Sequence, residues 1–239
     1  MPDPRRVRAM FARIAPRYDL LNRVLSLGID RSWRRALLLR SGPLRDVRAV
    51  DVCCGTGDVS LLLARRGARV VGVDFTGEML LLAGRKRADG GPETAGRVAY
   101  LQGDATALPL ADACADLVTI AFGIRNVTDR LAGLGEMARV LKPGGRLVIL
   151  EFGAPSHRAV AATYRLYFQR VLPRVGAWLS GDREAYSYLP ESVAAWPGPA
   201  EFEREIAQAG FQDCGHAPLH GGIAYLHWGT ARGRGGASA

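Results

Sequence analysis

Acidic residues and glycines cluster in one short segment that could bind a small cationic ligand. The run from Asp51 to Asp58 reads DVCCGTGD, and its glycines Gly55 and Gly57 predict a sharp turn between a strand and a helix, where the backbone can approach a ligand. A dinucleotide-binding turn would need a third glycine where this chain has Ser60, and the two carboxylates would repel a phosphate. The turn therefore favours a ligand that carries positive charge and no phosphate.

Two further acidic residues stand at the ends of the next two predicted strands. Asp74 closes the run RVVGVD at about the spacing at which a carboxylate accepts ribose hydroxyls, and Asp104 follows the next strand, where it can meet an adenine amino group. S-adenosyl-L-methionine carries a sulfonium, an ammonium, a ribose and an adenine, without phosphate. We therefore predict it as the cofactor, with no metal. The alternative is that these acids only cap helices, which Asp58 in particular could do.

Strand and helix patterns that alternate along the chain must position these residues. Short β-branched runs separated by helical patterns are typical of parallel βαβ units, and the segment Lys142-Pro-Gly-Gly145 predicts a helix end. The predicted strands are Ala49–Val52, Arg69–Asp74, Val98–Gly103, Asp116–Phe122 and Arg146–Phe152, with two later β-like runs at Gln212–Ala217 and Ile223–Thr230. The predicted helices are Asp58–Arg66, Gly77–Arg87, Asp129–Leu141 and Pro199–Ala209.

Composition limits the class of protein. The 239 residues, 48% of them hydrophobic, suffice for one large domain. A net charge of +9 favours an anionic partner, either nucleic acid or an acidic membrane surface, unless the arginine excess only reflects base composition. No run approaches the roughly 20 apolar residues of a membrane span, so we predict a cytoplasmic protein with at most peripheral contact at the inner face of the cell membrane. Without zinc-ligand spacing, four cysteines are expected to be small buried residues: Cys53, Cys54, Cys114 and Cys214.

We expect one domain over residues 1–230, with a helical cap at 1–45, a helical insert at 157–198 and a disordered tail at 231–239. Apolar residues at three- and four-residue steps in Val160–Leu179 predict a helical face, broken or kinked near Pro173. Either this helix packs on the core, or it is a lid that also touches the membrane. The face consists of Tyr164, Tyr167, Phe168, Val171, Leu172, Val175, Trp178 and Leu179, with Arg158, Arg165, Arg170 and Arg174 interspersed.

Several segments resemble one family, the C-methyltransferases of menaquinone and ubiquinone biosynthesis. The narrowest similarities are YDLLN at Tyr18–Asn22, followed by Trp33, and FGIRN at Phe122–Asn126; the broader RVLKPGG at Arg139–Gly145 leads to a strand that ends in Glu151. The resemblance implies an α/β, Rossmann-like methyltransferase fold, with a mostly parallel seven-stranded sheet, helices on both faces and a C-terminal antiparallel strand. The chain departs from the family pattern at Leu21, Asp30, Ala121 and Gly153.

The resemblance also implies a substrate and a cofactor site. The prenylated quinol acceptor would be demethylmenaquinol, methylated to menaquinol; the Cys53-Cys54-Gly55 loop favours this branch, and a polyprenyl benzoquinol is the alternative. Contacts to the cofactor carry over to Thr56, Asp74, Asp104 and Ala105, whereas Ala121 offers only its backbone or methyl group. With the acidic turn, the expected cofactor-binding set is Asp51, Gly55, Thr56, Gly57, Asp74, Phe75, Asp104, Ala105 and Ala121.

Methylation of a ring carbon needs an electron-rich quinol in a dry pocket. Arg125 is the first catalytic candidate because it follows the fourth strand at the carboxyl edge, where it could stabilise a phenolate; the alternative is an ion pair with an acid such as Asp129. Tyr18 and Asp19 are expected to close over the site, unless they belong to an ordinary helix. Of the four histidines only His157 is a candidate base, and a structural role is favoured for all four.

Other functions remain as alternatives. An RNA methyltransferase would suit the basic charge, but the chain has neither an RNA-binding module nor a base-methylation tetrad, so no nucleic-acid partner is expected. A non-catalytic, cofactor-binding scaffold stays open because of Asp30 and Ala121, and Ser60 with the acidic turn disfavours an NAD oxidoreductase. The oligomeric state, with a homodimer as one option, is left open.

Overall fold

Seven strands form one sheet in the computed structural model of the protein, which describes residues 3–153, 155 and 183–233. The strand order is β3-β2-β1-β4-β5-β7-β6. Strands β1 to β5 pair in parallel, and β7 runs antiparallel to both β5 and β6. The predicted mostly parallel sheet with a C-terminal antiparallel strand is confirmed. The strands are β1 Arg48–Val52, β2 Arg69–Asp74, β3 Val98–Gln102, β4 Ala115–Ala121, β5 Leu141–Phe152, β6 Phe211–Leu219 and β7 Ala224–Ala231.

The described helices begin with three that precede the sheet, where a helical cap is predicted, and continue between and after the strands. Asp129 caps the helix that leads to β5, since its carboxylate accepts a hydrogen bond from the Ala132 backbone N–H at 2.9 Å. The helices are α1 Pro4–Ile14, α2 Tyr18–Leu25, α3 Asp30–Arg40, α4 Asp58–Ala64, α5 Gly77–Asp89, α6 Pro92–Ala95, α7 Arg130–Val140, α8 Arg183–Ala194 and α9 Pro199–Gln208.

Strand β5 starts earlier than its sequence pattern indicates. Leu141 already pairs with Ala115, and the next pairing joins Arg146 to Leu117, so the Lys142–Gly145 segment is an irregularity inside β5. The prediction that this segment separates the helix from a strand beginning at Arg146 is therefore wrong. The Lys-Pro-Gly-Gly pattern indicates where the helix ends, but it does not show that Leu141 already pairs with β4.

Alternate residues of β5 show how the core is divided between the two faces of the sheet. Val148 and Leu150 pack with the buried Trp33 of α3, whereas Leu147 and Ile149 pack with the buried Phe202 of α9. Because side chains alternate across a strand, these two clusters lie on opposite faces. The predicted placement of helices on both faces is confirmed.

Part of the predicted insert and tail cannot be compared with the structure. The predicted helical face of Val160–Leu179, its arginines and His157 lie outside the described residues, as do residues 234–239. Strand β7 extends to Ala231, one residue into the predicted tail. Among the described helices, none combines the length and the apolar character that a membrane span requires.

Candidate active site

The carboxyl ends of five parallel strands bring the predicted site residues to one edge of the sheet. Strand β1 leads into the glycine turn, which we call the cofactor loop (residues 53–57), and β2 ends at Asp74 beside it. The Gly55 backbone N–H donates to Asp74 Oδ2 at 2.8 Å, which joins the two strand ends directly. Open α/β sheets bind their ligands at this edge.

The cofactor loop turns as its glycines predict. Gly55 and Gly57 have φ angles of +54° and +82°, a region that glycine adopts without steric cost. A Cβ at position 57 would clash with the Tyr100 hydroxyl oxygen, so any larger residue would require rearrangement. Helix α4 begins at Asp58, the next residue, and the loop therefore presents backbone groups at a helix start.

Asp74 is held rigidly by the backbone around it. Its two carboxylate oxygens accept hydrogen bonds from Gly55 N–H at 2.8 Å and from Thr76 N–H at 2.9 Å. Burial raises the pKa of this carboxyl group, and the backbone hydrogen bonds oppose that rise. Each carboxylate oxygen has a second lone pair, so the fixed carboxylate can still accept hydroxyl groups of a ligand.

Asp51 lies beneath the cofactor loop and is only 1% exposed. The Ser60 hydroxyl donates to Oδ2 at 2.6 Å and the Thr119 hydroxyl donates to Oδ1 at 2.9 Å. Burial raises the pKa of Asp51 to about 6, although both hydroxyl groups lower it. The acidic turn predicts a contact between Asp51 and a cation, and with the carboxylate buried and held by two hydroxyl groups this contact stays a prediction. Ser60, which occupies the position of the third glycine of a dinucleotide-binding turn, thus holds the Asp51 carboxylate in place.

The remaining predicted cofactor residues lie along the same edge. Asp104 is exposed, and its Oδ1 accepts from the Thr106 backbone N–H and hydroxyl, both at 2.8 Å. The Phe75 carbonyl oxygen accepts from Gln102 Nε2 at 3.1 Å, which ties the ends of β2 and β3 together. Ala105 is buried behind Asp104. Ala121, the last residue of β4, is half-buried.

The four cysteines are free thiols and are half-buried, where small buried residues were expected. Cys53 and Cys54 lie in the cofactor loop. Burial raises the pKa of both thiols well above the usual value, and nearby carboxylates including Asp51 and Asp74 add to the effect. These thiols therefore stay protonated at neutral pH and are poor nucleophiles.

A lysine that the sequence reading missed joins the N-terminal helices to the cofactor loop. Lys86 Nζ lies 2.5 Å from Asp19 Oδ2, 2.7 Å from Asp58 Oδ1 and 2.9 Å from Thr56 Oγ1. The Thr56 hydroxyl also donates to Asp19 Oδ1 at 2.6 Å. Asp19 thus contacts the cofactor loop at Thr56, and its predicted part in closing the site stays a prediction. In sequence, a lysine in the last turn of α5 is indistinguishable from an ordinary helix-terminating cation.

Two other residues of the N-terminal helices have clear partners. Asp30, a departure from the family pattern, accepts a hydrogen bond from the Ser26 hydroxyl at 2.8 Å and forms an ion pair with Arg34. Arg34 in turn lies 3.4 Å from Asp58. Tyr18 bonds with the Asn22 side chain, and burial raises the pKa of its phenol. Arg34 thus joins the N-terminal helices to Asp58, the first residue of α4 after the cofactor loop.

Arg125 forms a buried ion pair, but not with the expected acid. Its guanidinium donates to Glu151 Oε1 at 2.7 Å and to the Phe122 carbonyl oxygen at 2.6 Å. Glu151 is 0% exposed, and its Oε2 accepts from the Arg125 backbone N–H at 3.3 Å. The structure therefore shows the ion pair that was the alternative for Arg125, with Glu151 as the acid, because Asp129 caps α7 instead. Among the described residues, Arg125 Nε is buried without a hydrogen-bond partner, which leaves a donor for a ligand.

Three rings, which we call the aromatic cluster, pack beside this arginine: Trp33, Phe122 and Phe152. The Phe122 and Phe152 centroids lie 4.5 Å apart, and Trp33 lies 5.8 and 6.0 Å from them. The Arg125 guanidinium carbon lies 5.2 Å from the Phe152 centroid. Trp228, the other tryptophan considered for an apolar pocket, packs under Arg40 instead. The aromatic cluster thus lines the carboxyl edge at β4 and β5.

Known proteins are similar to this chain over most of its length. The chain matches the ubiE/COQ5 methyltransferase family over residues 2–231. It is 50% identical over 225 residues to a demethylmenaquinone methyltransferase of Thermus thermophilus, covering 92% of this chain and 99% of the relative. It is 46% identical over 228 residues to a ubiquinone/menaquinone biosynthesis C-methyltransferase of a Geobacter species, covering 94% and 96%.

Solved structures agree at the level of the fold. A crystal structure of an S-adenosyl-L-methionine-dependent methyltransferase of Thermotoga maritima, described as a possible histamine N-methyltransferase, superposes with a TM-score of 0.68 at 21% identity. The superposition covers 94% of this chain and 99% of that one. The predicted S-adenosyl-L-methionine-dependent methyltransferase is thereby confirmed, and the chain belongs to the ubiE/COQ5 methyltransferase family.

Proposed function

We propose that the protein transfers the methyl group of S-adenosyl-L-methionine to the ring carbon of demethylmenaquinol, giving menaquinol. The observation that carries this proposal is the position of the Arg125 guanidinium, which Glu151 fixes against the aromatic cluster at the carboxyl edge of the sheet. Relatives whose names specify demethylmenaquinone methylation are 50% identical over most of the chain, which supports the naphthoquinol as acceptor.

The residues at the strand ends fit the cofactor. When bound, S-adenosyl-L-methionine supplies an electrophilic methyl group on a sulfonium. The fixed carboxylate of Asp74 would accept the ribose hydroxyls, and the exposed Asp104 would accept the adenine amino group. Asp51 would favour the cation from beneath the loop. The other residues proposed to line the site are Gly55, Thr56, Gly57, Phe75, Ala105 and Ala121.

The acceptor must become electron-rich at the reacting carbon. Loss of a phenolic proton gives a phenolate whose charge spreads to the neighbouring ring carbon. That carbon forms the new bond as the sulfur–methyl bond breaks, and the ring hydrogen then leaves as a proton, which restores the aromatic quinol. The guanidinium of Arg125 would stabilise the phenolate in an environment that excludes water. Tyr18 and Asp19 would close the site from the cap.

The test is turnover under anaerobic conditions. Purified protein with S-adenosyl-L-methionine receives demethylmenaquinol, a demethylated polyprenyl benzoquinol or oxidised demethylmenaquinone, and product is measured by mass spectrometry. We expect methylated product chiefly from demethylmenaquinol and none from the quinone, which is not nucleophilic. Faster methylation of the benzoquinol would reassign the branch, and turnover of neither quinol would refute the function.

A prenylated acceptor resides in lipid, and we propose that the protein meets it by peripheral contact with the membrane. The net charge of +9 supports attraction to anionic head groups. Co-sedimentation with liposomes should increase with the anionic lipid fraction and decrease with added salt. Equal recovery with neutral and anionic liposomes would contradict this part of the proposal.

A further inference from the structure

The turn between β6 and β7 lies beside the aromatic cluster. Phe152 at the end of β5 pairs with Ala224, and Ala224 also pairs with Leu219 on β6. The Gly153 backbone N–H donates to the Ile223 carbonyl oxygen at 3.1 Å. These contacts place the turn of residues 220–222 at the carboxyl edge, next to the last residues of β5.

His220, the first residue of this turn, is oriented by a buried tryptophan. The Trp33 indole is 3% exposed, and its Nε1–H donates to His220 Nδ1 at 2.9 Å. An indole N–H can only donate, so Nδ1 must be the accepting nitrogen and the neutral imidazole carries its hydrogen on Nε2. The His220 side chain is exposed, and within the described ranges its Nε2 has no hydrogen-bond partner. The ring therefore presents one free, oriented donor.

The backbone at His220 is also unusual. Its φ angle is +48°, and Gly221 and Gly222 follow with +70° and +91°. Glycine adopts a left-handed position without steric cost, and asparagine, aspartate and histidine are the side chains found there most often. Histidine and asparagine are therefore both compatible with this backbone conformation.

We propose that His220 donates its Nε2–H to one of the two ring oxygens of the acceptor quinol, as a residue that orients the ring. The inference rests on the proposed function. Arg125 lies at the Phe152 side of the aromatic cluster, and a hydroquinone carries two oxygens, so the second needs a donor of its own. The histidine meets this need because it contacts Trp33 of the same cluster, with ring centroids 6.0 Å apart. None of the three rings of the cluster offers a free polar hydrogen.

His220→Asn tests this role while leaving the local structure in place. The asparagine Oδ1 takes the position of Nδ1 and can accept from Trp33, and asparagine tolerates a positive φ, but the variant has no group at the position of Nε2. The matched control is His216→Asn on β6, whose half-buried imidazole contacts Glu203 at 2.5 Å. Each protein is assayed for kcat and KM with demethylmenaquinol, for S-adenosyl-L-methionine affinity by calorimetry, and for Tm.

We expect kcat/KM for the quinol to fall at least tenfold in His220→Asn, with cofactor affinity and Tm close to those of the wild type, and to stay unchanged in His216→Asn. Unchanged kcat/KM in His220→Asn would overturn the inference, as would an equal loss in both variants. A loss of cofactor affinity would instead assign the donor to the cofactor, and a large fall in Tm would make the role structural; both overturn it. If the wild type does not methylate the quinol, the proposed function is refuted, and this inference is refuted with it. The wild-type assay therefore separates a failure of the proposed function from a failure of this inference.

Discussion

Replacing Asp51 with asparagine tests how the acid beneath the cofactor loop affects stability. Burial raises the pKa of this carboxyl group from 3.8 to about 6 in the folded protein. The folded protein therefore keeps the proton to a higher pH than the unfolded chain does. The contribution of Asp51 to the free energy of unfolding is greatest in acid and decreases as the pH rises from 3.8 through about 6.

The size of the effect follows from these two pKa values. Between about pH 4.5 and about pH 7, the proton-linkage relation gives a decrease of about 2 kcal/mol in the wild type. Asparagine does not titrate, and its amide can keep one of the hydrogen bonds from Ser60 and Thr119. Over this range Asp51→Asn should therefore gain about 2 kcal/mol in stability relative to the wild type.

The assay is urea unfolding followed by circular dichroism at several pH values, without cofactor. Asp116→Asn is the control of opposite sign, because the hydrogen bond from Lys142 lowers the pKa of Asp116. Stability from Asp116 is fully present above the ordinary pKa of 3.8 and is lost as the pH falls below it, so this variant should lose stability relative to the wild type as the pH rises to and just above 3.8. A constant difference between Asp51→Asn and the wild type at every pH would refute the argument that Asp51 titrates in a buried environment.

Three further variants test the site. Asp74→Ala should weaken S-adenosyl-L-methionine binding at least tenfold, about 1.4 kcal/mol, because a charged acceptor is lost; unchanged affinity by calorimetry would exclude the ribose role. Arg125→Ala should lower kcat with little change in cofactor affinity, as expected of a group that acts in the transition state; a fall in Tm alone would indicate that its ion pair with Glu151 is structural. Lys86→Met should weaken cofactor binding by about threefold to fivefold, because partly exposed ion pairs contribute little each. Calorimetry on Arg85→Met, a control at the exposed neighbouring position of α5, should show wild-type affinity, and an equal loss in both variants would exclude a specific role for Lys86.

The sequence predicted the sheet and the strand-end acids because both depend on local patterns. The run RVVGVD is a mostly buried strand that ends in Asp74, the proposed ribose acceptor, so Asp74 could be placed from a few consecutive positions. Lys86, in contrast, contacts Asp19 and Thr56, which are distant in sequence and become neighbours only in the folded chain. The hydrogen bond between Trp33 and His220 joins residues that are 187 positions apart, and the periodicity of apolar residues does not predict such a pair.

A local sequence pattern likewise does not show which acid an arginine will pair with. Arg125 has Asp129 four residues away, which is a reasonable partner in sequence, but α7 needs that carboxylate as its cap. Glu151 meets Arg125 because β4 and β5 are adjacent and end together. The outcome depends on strand order, which a single sequence constrains only weakly.

In the proposed site, the carboxylates of Asp51 and Asp74 distinguish the incoming cofactor from the spent one by charge. Methyl transfer removes the positive charge from sulfur, so these acids attract the product less than the reactant. The chemical step thereby lowers the affinity for its own product, and turnover requires no separate signal for release. Because the pKa of Asp51 is raised to about 6 by burial, this discrimination should be strongest above that pH, and product inhibition should be weakest there.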